Sequence, residues 1–90
     1  MPVDVHVVTP EREVWSGDSD LVIARGTDGE VGIMAGHAPL LLRLAVGPLR
    51  IQRAEGELTM AIDGGFLHVA TDDVVTRVDV MADGATLDGE

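Results

Sequence analysis

The chain has 90 residues, sixteen acidic against six basic, all six of them Arg, and it lacks cysteine altogether. One domain is the expectation at that length, and without Cys or Lys there are no disulfides, thiolate metal sites, cysteine nucleophiles, Walker-type phosphate loops, Schiff bases, or lipoyl or biotinyl attachment. A formal charge of −10 repels nucleic-acid backbone and anionic headgroups alike, so neither nucleic acid nor direct membrane insertion is expected.

The opening residues Met1 to Val8 carry an early Asp4 and no basic stretch, unlike a secretory signal. Val3, Val5 and Val7 alternate with Asp4 and His6, which predicts a strand with one dry face. Trp15-Ser16-Gly17 reads as a strand-end turn, because no Gly-x-Ser-x-Gly elbow surrounds Ser16 or Ser19 to make either a nucleophile. Asp28-Gly29 predicts a tight hairpin. The glycine-rich run Gly26 to Gly32 is not a phosphate cradle, since Asp28 and Glu30 oppose an anion and Val31 to Met34 continues as strand rather than helix. Gly36 marks a turn that carries His37. Leu40-Leu41-Leu42-Arg43-Leu44 lies between Pro39 and Gly47-Pro48 and reads as a strand.

Leu49 and Ile51, then Leu58, Met60 and Ile62, continue the alternation on either side of Glu55-Gly56. Gly64-Gly65 and Asp72-Asp73 give two further turns, and Val74, Thr76, Val78 and Val80 form the dry side of a last strand. Turn signals every eight to eleven residues predict an all-β sandwich or barrel. From Ala82 to Glu90 the chain is small and acidic, so the expected division is a β-sandwich domain over 1–81 and a flexible tail over 82–90.

Three histidines, His6, His37 and His68, could in principle meet a carboxylate around a metal, but no His-x-His or His-Glu-x-x-His spacing supports it. His6 and His68 alternate out of their strands, whereas His37 sits in a turn where its ring can dock on something. No constellation reads as an active site and no cofactor is implied. A stand-alone interaction module, or a small metal-dependent enzyme using His with Asp or Glu, are the alternatives that residue types alone leave open.

The run from Gly29 to Leu41, Gly-Glu-Val-Gly-Ile-Met-Ala-Gly-His-Ala-Pro-Leu-Leu, closely resembles the signature of the epsilon subunit of rotary F-type ATP synthases. Val14-Trp15-Ser16-Gly17, Gly47-Pro48-Leu49-Arg50-Ile51 and Gly64-Gly65-Phe66-Leu67-His68-Val69 match in the same order, so the resemblance spans residues 2 to 83. It implies an antiparallel β-sandwich of about ten short strands in two sheets. It also implies a non-catalytic central-stalk subunit that joins the gamma subunit to the c-ring, beneath the alpha and beta catalytic head, peripheral on the cytoplasmic face of the bacterial plasma membrane. Carried over by motif position, Thr9, His37 and Leu42 would contact gamma. Asp28, Gly29, Glu30 and Val31 would contact the c-ring, and Gly32, Gly36, Pro39, Gly64 and Gly65 would be structural.

Departures from the family pattern carry their own expectations. Proline is usual where Ala35 stands, so a less rigid loop is expected before Gly36. Extra residues between Thr76 and Met81 leave the register of the last strand open. The family's C-terminal helical hairpin is absent from these residues, so the expectation is either a naturally short subunit or one domain of a longer chain, in both cases without hairpin-mediated inhibition from the residues given.

Overall fold

Alternating valines make the first strand what the sequence predicts: β1 (Val3–Val8) buries Val3, Val5 and Val7 and turns Asp4 and His6 outward. In the computed structural model, which describes residues 2–88, seven more strands follow. They are β2 (Glu13–Ser19), β3 (Leu21–Gly26), β4 (Gly29–Ile33), β5 (Leu40–Arg53), β6 (Gly56–Thr71), β7 (Thr76–Ala82) and β8 (Ala85–Leu87). The hydrogen-bonded order is β2-β1-β7-β6-β5-β3-β4, with β8 on β6. All pairs are antiparallel except β1 with β7, which run parallel from Val3 opposite Thr76 to Val8 opposite Met81.

The all-β class is as expected, but the ten-strand, two-sheet, wholly antiparallel arrangement is corrected to eight strands in one continuous mixed sheet. Gly47-Pro48 and Gly64-Gly65 look like chain reversals in sequence, yet they lie inside the long β5–β6 ladder, which keeps one register from Leu40 opposite Val69 to Arg53 opposite Gly56. What changes there is the face. Leu40, Leu42 and Leu44 point inward before the bend, and Leu49 and Ile51 after it. On the partner strand the inward set switches from Met60 and Ile62 to Leu67 and Val69. The ribbon therefore turns over, and each strand serves both walls of a single core. One wall consists of β2, β1, β7 and the adjoining halves of β6 and β5; the other, of β8, the remaining halves and β3–β4. Counting each long strand as two arms recovers the expected number of short ones.

Cross-strand rows fill the space between the walls. Val7, Val80 and Leu67 lie side by side with Leu42 at the end of the row. Ile33, Val22 and Ile51 form the facing row, and the fully buried members of both rows belong to one apolar cluster. Neighbouring side chains on one face are what stabilise a sheet, and β-branched residues suit that geometry.

Three local expectations change. Gly17 is mid-strand rather than a turn, and its missing side chain lets the Trp15 ring lie against it, where a Cβ would come within 2.9 Å of the ring. Val74 precedes β7 and is exposed rather than dry, whereas Thr76, Val78 and Val80 are buried in a clear register with both neighbours. The tail expected from Ala82 is ordered as far as Leu87: Ala82 is buried, and Ala85–Leu87 pairs with Ile62–Met60. Gly89 and Glu90 lie outside the described residues.

Ser19 is buried, and its hydroxyl has no hydrogen-bond partner among the described residues. An unsatisfied buried hydroxyl lowers stability, so Ser19→Ala is expected to leave stability unchanged or raise it by up to about 1 kcal/mol. Thermal unfolding checks this, and a clear drop in the melting midpoint would reveal a partner for the hydroxyl.

Candidate functional site

At the β3–β4 hairpin the chain reverses over Thr27-Asp28, with Gly29 at φ +132°, a conformation that glycine adopts without a side-chain penalty. Among the described residues only glycines have positive φ, so Gly29 alone, not Asp28, supplies it at this turn. The hairpin is tied to β5 by the Thr27 amide, which donates to the Arg43 carbonyl at 3.0 Å. Between hairpin and strand opens a cleft of about 400 Å³ walled by Asp28, Glu30, Val31, Leu40, Leu42 and Arg43. Asp28 and Glu30 are exposed, and neither forms an ion pair among the described residues. An acidic rim over an apolar wall suits a basic side chain with an apolar stem.

The residues expected to face one partner are spread over three places. Leu42 lines the same cleft as Asp28 to Val31 and packs against the core, so it stands with the residues expected to meet the c-ring. His37 lies just before the start of β5, in the loop between β4 and β5, where its carbonyl accepts from the Thr71 hydroxyl. Thr9 caps the turn after β1, its amide donating to the Arg12 carbonyl at 2.9 Å. Since Thr76, beside the His37 loop, is opposite Val3 while Thr9 follows Val8, the two are on the order of 20 Å apart along the strands.

Among the expected structural residues, Gly36 (φ +85°), Gly64 (φ +91°) and Gly65 (φ +118°) need glycine. Gly64 sits in the same bend as Gly65, and Pro39 precedes β5 as its stop signal for a preceding turn. Gly32 is exposed in β4, with only the Leu21 side chain near.

A feature that sequence reasoning missed is the outer face of the β7–β6–β5 wall. Phe66 lies opposite both Arg43 and Met81, and Leu41 opposite His68. Leu41 is 64% exposed, and Phe66 and Met81 are each 43% exposed. The Arg43 guanidinium sits over the Phe66 ring, 5.5 Å from its centroid. The signal was present as broken alternation: Leu41, Phe66 and Met81 are apolar at positions whose parity points outward. Isolated exposed apolar residues are ordinary, but neighbours in one cross-strand patch mark an interaction surface.

No catalytic geometry accompanies these surfaces among the described residues. Ser16 lies opposite His6, but the His6 ring nitrogens face carboxylates instead, Nε2 at 3.0 Å from Asp4 and Nδ1 at 3.6 Å from Glu13. Neither contact is a hydrogen bond, and none joins Ser16 to the His6 ring among the described residues, so the nucleophile–base pair of a catalytic triad is not formed. No group of three His, Asp or Glu side chains among the described residues is placed to hold a metal. On the same wall Asp79 binds Arg77 and raises its already high proton affinity, a solvated surface pair.

Comparison with known proteins agrees with this architecture. Residues 2–87 match the family described as ATP synthase, Delta/Epsilon chain, beta-sandwich domain. The ATP synthase epsilon chain of Frankia casuarinae is 50% identical over 70 residues, covering 77% of this chain and 82% of that one. The epsilon chain of Brevibacillus brevis is 46% identical over 96% of this chain and 63% of its own length. That of Thermobifida fusca is 45% identical over 92% of this chain and 61% of its own, so the chain spans about three fifths of these two longer relatives. The fold also matches a chain in the Euglena gracilis mitochondrial ATP synthase, solved as OSCP/F1/c-ring, with a TM-score of 0.81 at 24% identity, covering 96% of this chain and 53% of that one. The chain therefore belongs to the beta-sandwich family of ATP synthase delta/epsilon chains.

Proposed function

We propose that this chain is a non-catalytic central-stalk subunit that clamps the gamma subunit to the c-ring and so couples ion translocation to ATP synthesis. The observation that carries this reading is the pairing of two exposed surfaces on one stiff domain: the apolar face of Leu41, Phe66 and Met81, and the acidic hairpin tip of Asp28 and Glu30. A rotor element must pass torque between partners without shearing. The β5–β6 ribbon shared by both walls makes the two surfaces parts of one hydrogen-bonded body.

In this reading the apolar face and the His37 loop meet gamma, while the hairpin tip meets basic side chains on the polar loops of the c-ring. The complex is bacterial and the chain peripheral on the cytoplasmic face of the plasma membrane. Bacterial relatives support that placement, and no helix of the described residues is long and apolar enough to cross a membrane.

Single substitutions separate the two contacts. Glu30→Ala is expected to keep the fold and gamma affinity while weakening c-ring binding by about tenfold, as loss of one charge-assisted pair in an interface would. His37→Ala is expected to do the reverse. Titration of each variant against purified gamma and against detergent-solubilised c-ring reads both, and undiminished binding by both variants would contradict the contact assignment.

A further inference from the structure

The loop between β4 and β5 is built around one tight turn. The His37 amide donates to the Met34 carbonyl at 3.1 Å across Ala35 and Gly36, and Gly36 takes φ +85°. This is the arrangement of a type II turn, whose third position requires positive φ. Neither central residue stiffens the turn: Ala35 has no ring, and Gly36 has open space around its α-carbon. Two hydrogen bonds reach the turn from outside.

Thr71 and Thr76 face each other as the closing pair of the β6–β7 hairpin. The Thr76 hydroxyl accepts from the Gly36 amide at 2.7 Å, using the donor the turn leaves free. The Thr71 hydroxyl donates to the His37 carbonyl, on the other side of the same turn. Thr76 is 3% exposed, so its bond to Gly36 is sheltered from competing water. Beyond the clamp, His37 Nδ1 lies 2.7 Å from the Ala38 carbonyl. A carbonyl accepts only, so Nδ1 is the donor in that contact, and Nε2 is the ring nitrogen left for another molecule.

We propose that Thr71 and Thr76 are positioning residues, a two-point hydroxyl clamp that fixes the Met34–Pro39 loop and presents the His37 ring to gamma in one orientation. This rests on the reading of His37 as a gamma contact. Valine at both positions keeps the side-chain shape and suits a strand, so removing the hydroxyls tests the clamp without removing packing.

The test uses the full chain in three forms: Thr71→Val with Thr76→Val, Thr71→Ser with Thr76→Ser, and His37→Ala. Hydrogen exchange at the Gly36 amide, the His37 ring resonances and the affinity for purified gamma are measured alongside thermal unfolding. The valine pair is expected to fold, to exchange its Gly36 amide about tenfold faster and to bind gamma about fivefold to tenfold more weakly, as the loss of one or two hydrogen bonds implies. The serine pair is expected to restore both. Unchanged Gly36 exchange and His37 resonances in the valine pair would overturn the clamp. Faster exchange with full gamma affinity, in a background where His37→Ala does weaken binding, would overturn its role in presentation. Full affinity in His37→Ala would instead overturn the contact reading on which that role rests.

Discussion

Gly65→Ala is expected to destabilise the domain by about 4 kcal/mol or more, close to the whole stability of a chain this size. Gly65 has φ +118°, and a Cβ built there would lie 2.2 Å from the Met81 carbonyl oxygen and 2.9 Å from the Ala82 α-carbon. Both obstacles are backbone, so no side-chain rotation relieves them. The β6–β7 ladder would have to part at the Gly65–Ala82 pair, where the ribbon turns over and the two walls join. Gly29→Ala is the matched control: its φ is +132°, but nothing lies within 4 Å of the added carbon. Backbone strain alone costs about 1–2 kcal/mol. Calorimetry of the two variants is expected to show a loss of cooperative unfolding, or a fall of roughly 15–30 °C, for Gly65→Ala and a fall of roughly 5–15 °C for Gly29→Ala. Equal falls would mean that close approach at the bend contributes nothing.

Replacing Leu41 and Phe66 together by serine is expected to weaken gamma binding by about a hundredfold or more, the effect of removing two apolar anchors from the centre of an interface. Both side chains are largely outside the core, so folding should survive. Some stability is expected to go with the Arg43–Phe66 contact, about 0.5–1 kcal/mol for an exposed cation over a ring. Val46→Ser is the control, because Val46 is 72% exposed at the ribbon bend, away from the Leu41, Phe66 and Met81 patch. If the double variant bound gamma like the parent chain, the outer face of this wall would not be the gamma surface.

Strand identity was legible wherever one face was dry, because period-two burial is written directly into residues such as Val3, Val5 and Val7. The hairpin at Gly29 was legible for the same local reason, a backbone angle that favours glycine. Gly47-Pro48 and Gly64-Gly65 were not, since a glycine that ends a strand and one that bends it present the same signal, and only pairing across β5 and β6 distinguishes them. The order of β8 came from a partner far away in sequence, Met60 to Ile62, which offers no local cue. For the candidate site, motif position located the acidic tip and the His37 loop. The spread of Thr9, His37 and Leu42 depended on which strand ends meet, a tertiary property. The Leu41–Phe66–Met81 face was present as breaks in alternation, individually ordinary and informative only once the register made them neighbours.

Co-purification tests the central claim most directly. The chain, tagged at its C-terminus and expressed in its own host, is recovered from gently solubilised membranes and its companions are identified by mass spectrometry. Recovery of gamma and c subunits together with alpha and beta is the predicted result. A chain recovered alone and monomeric from the soluble fraction, with none of them, would contradict the stalk role.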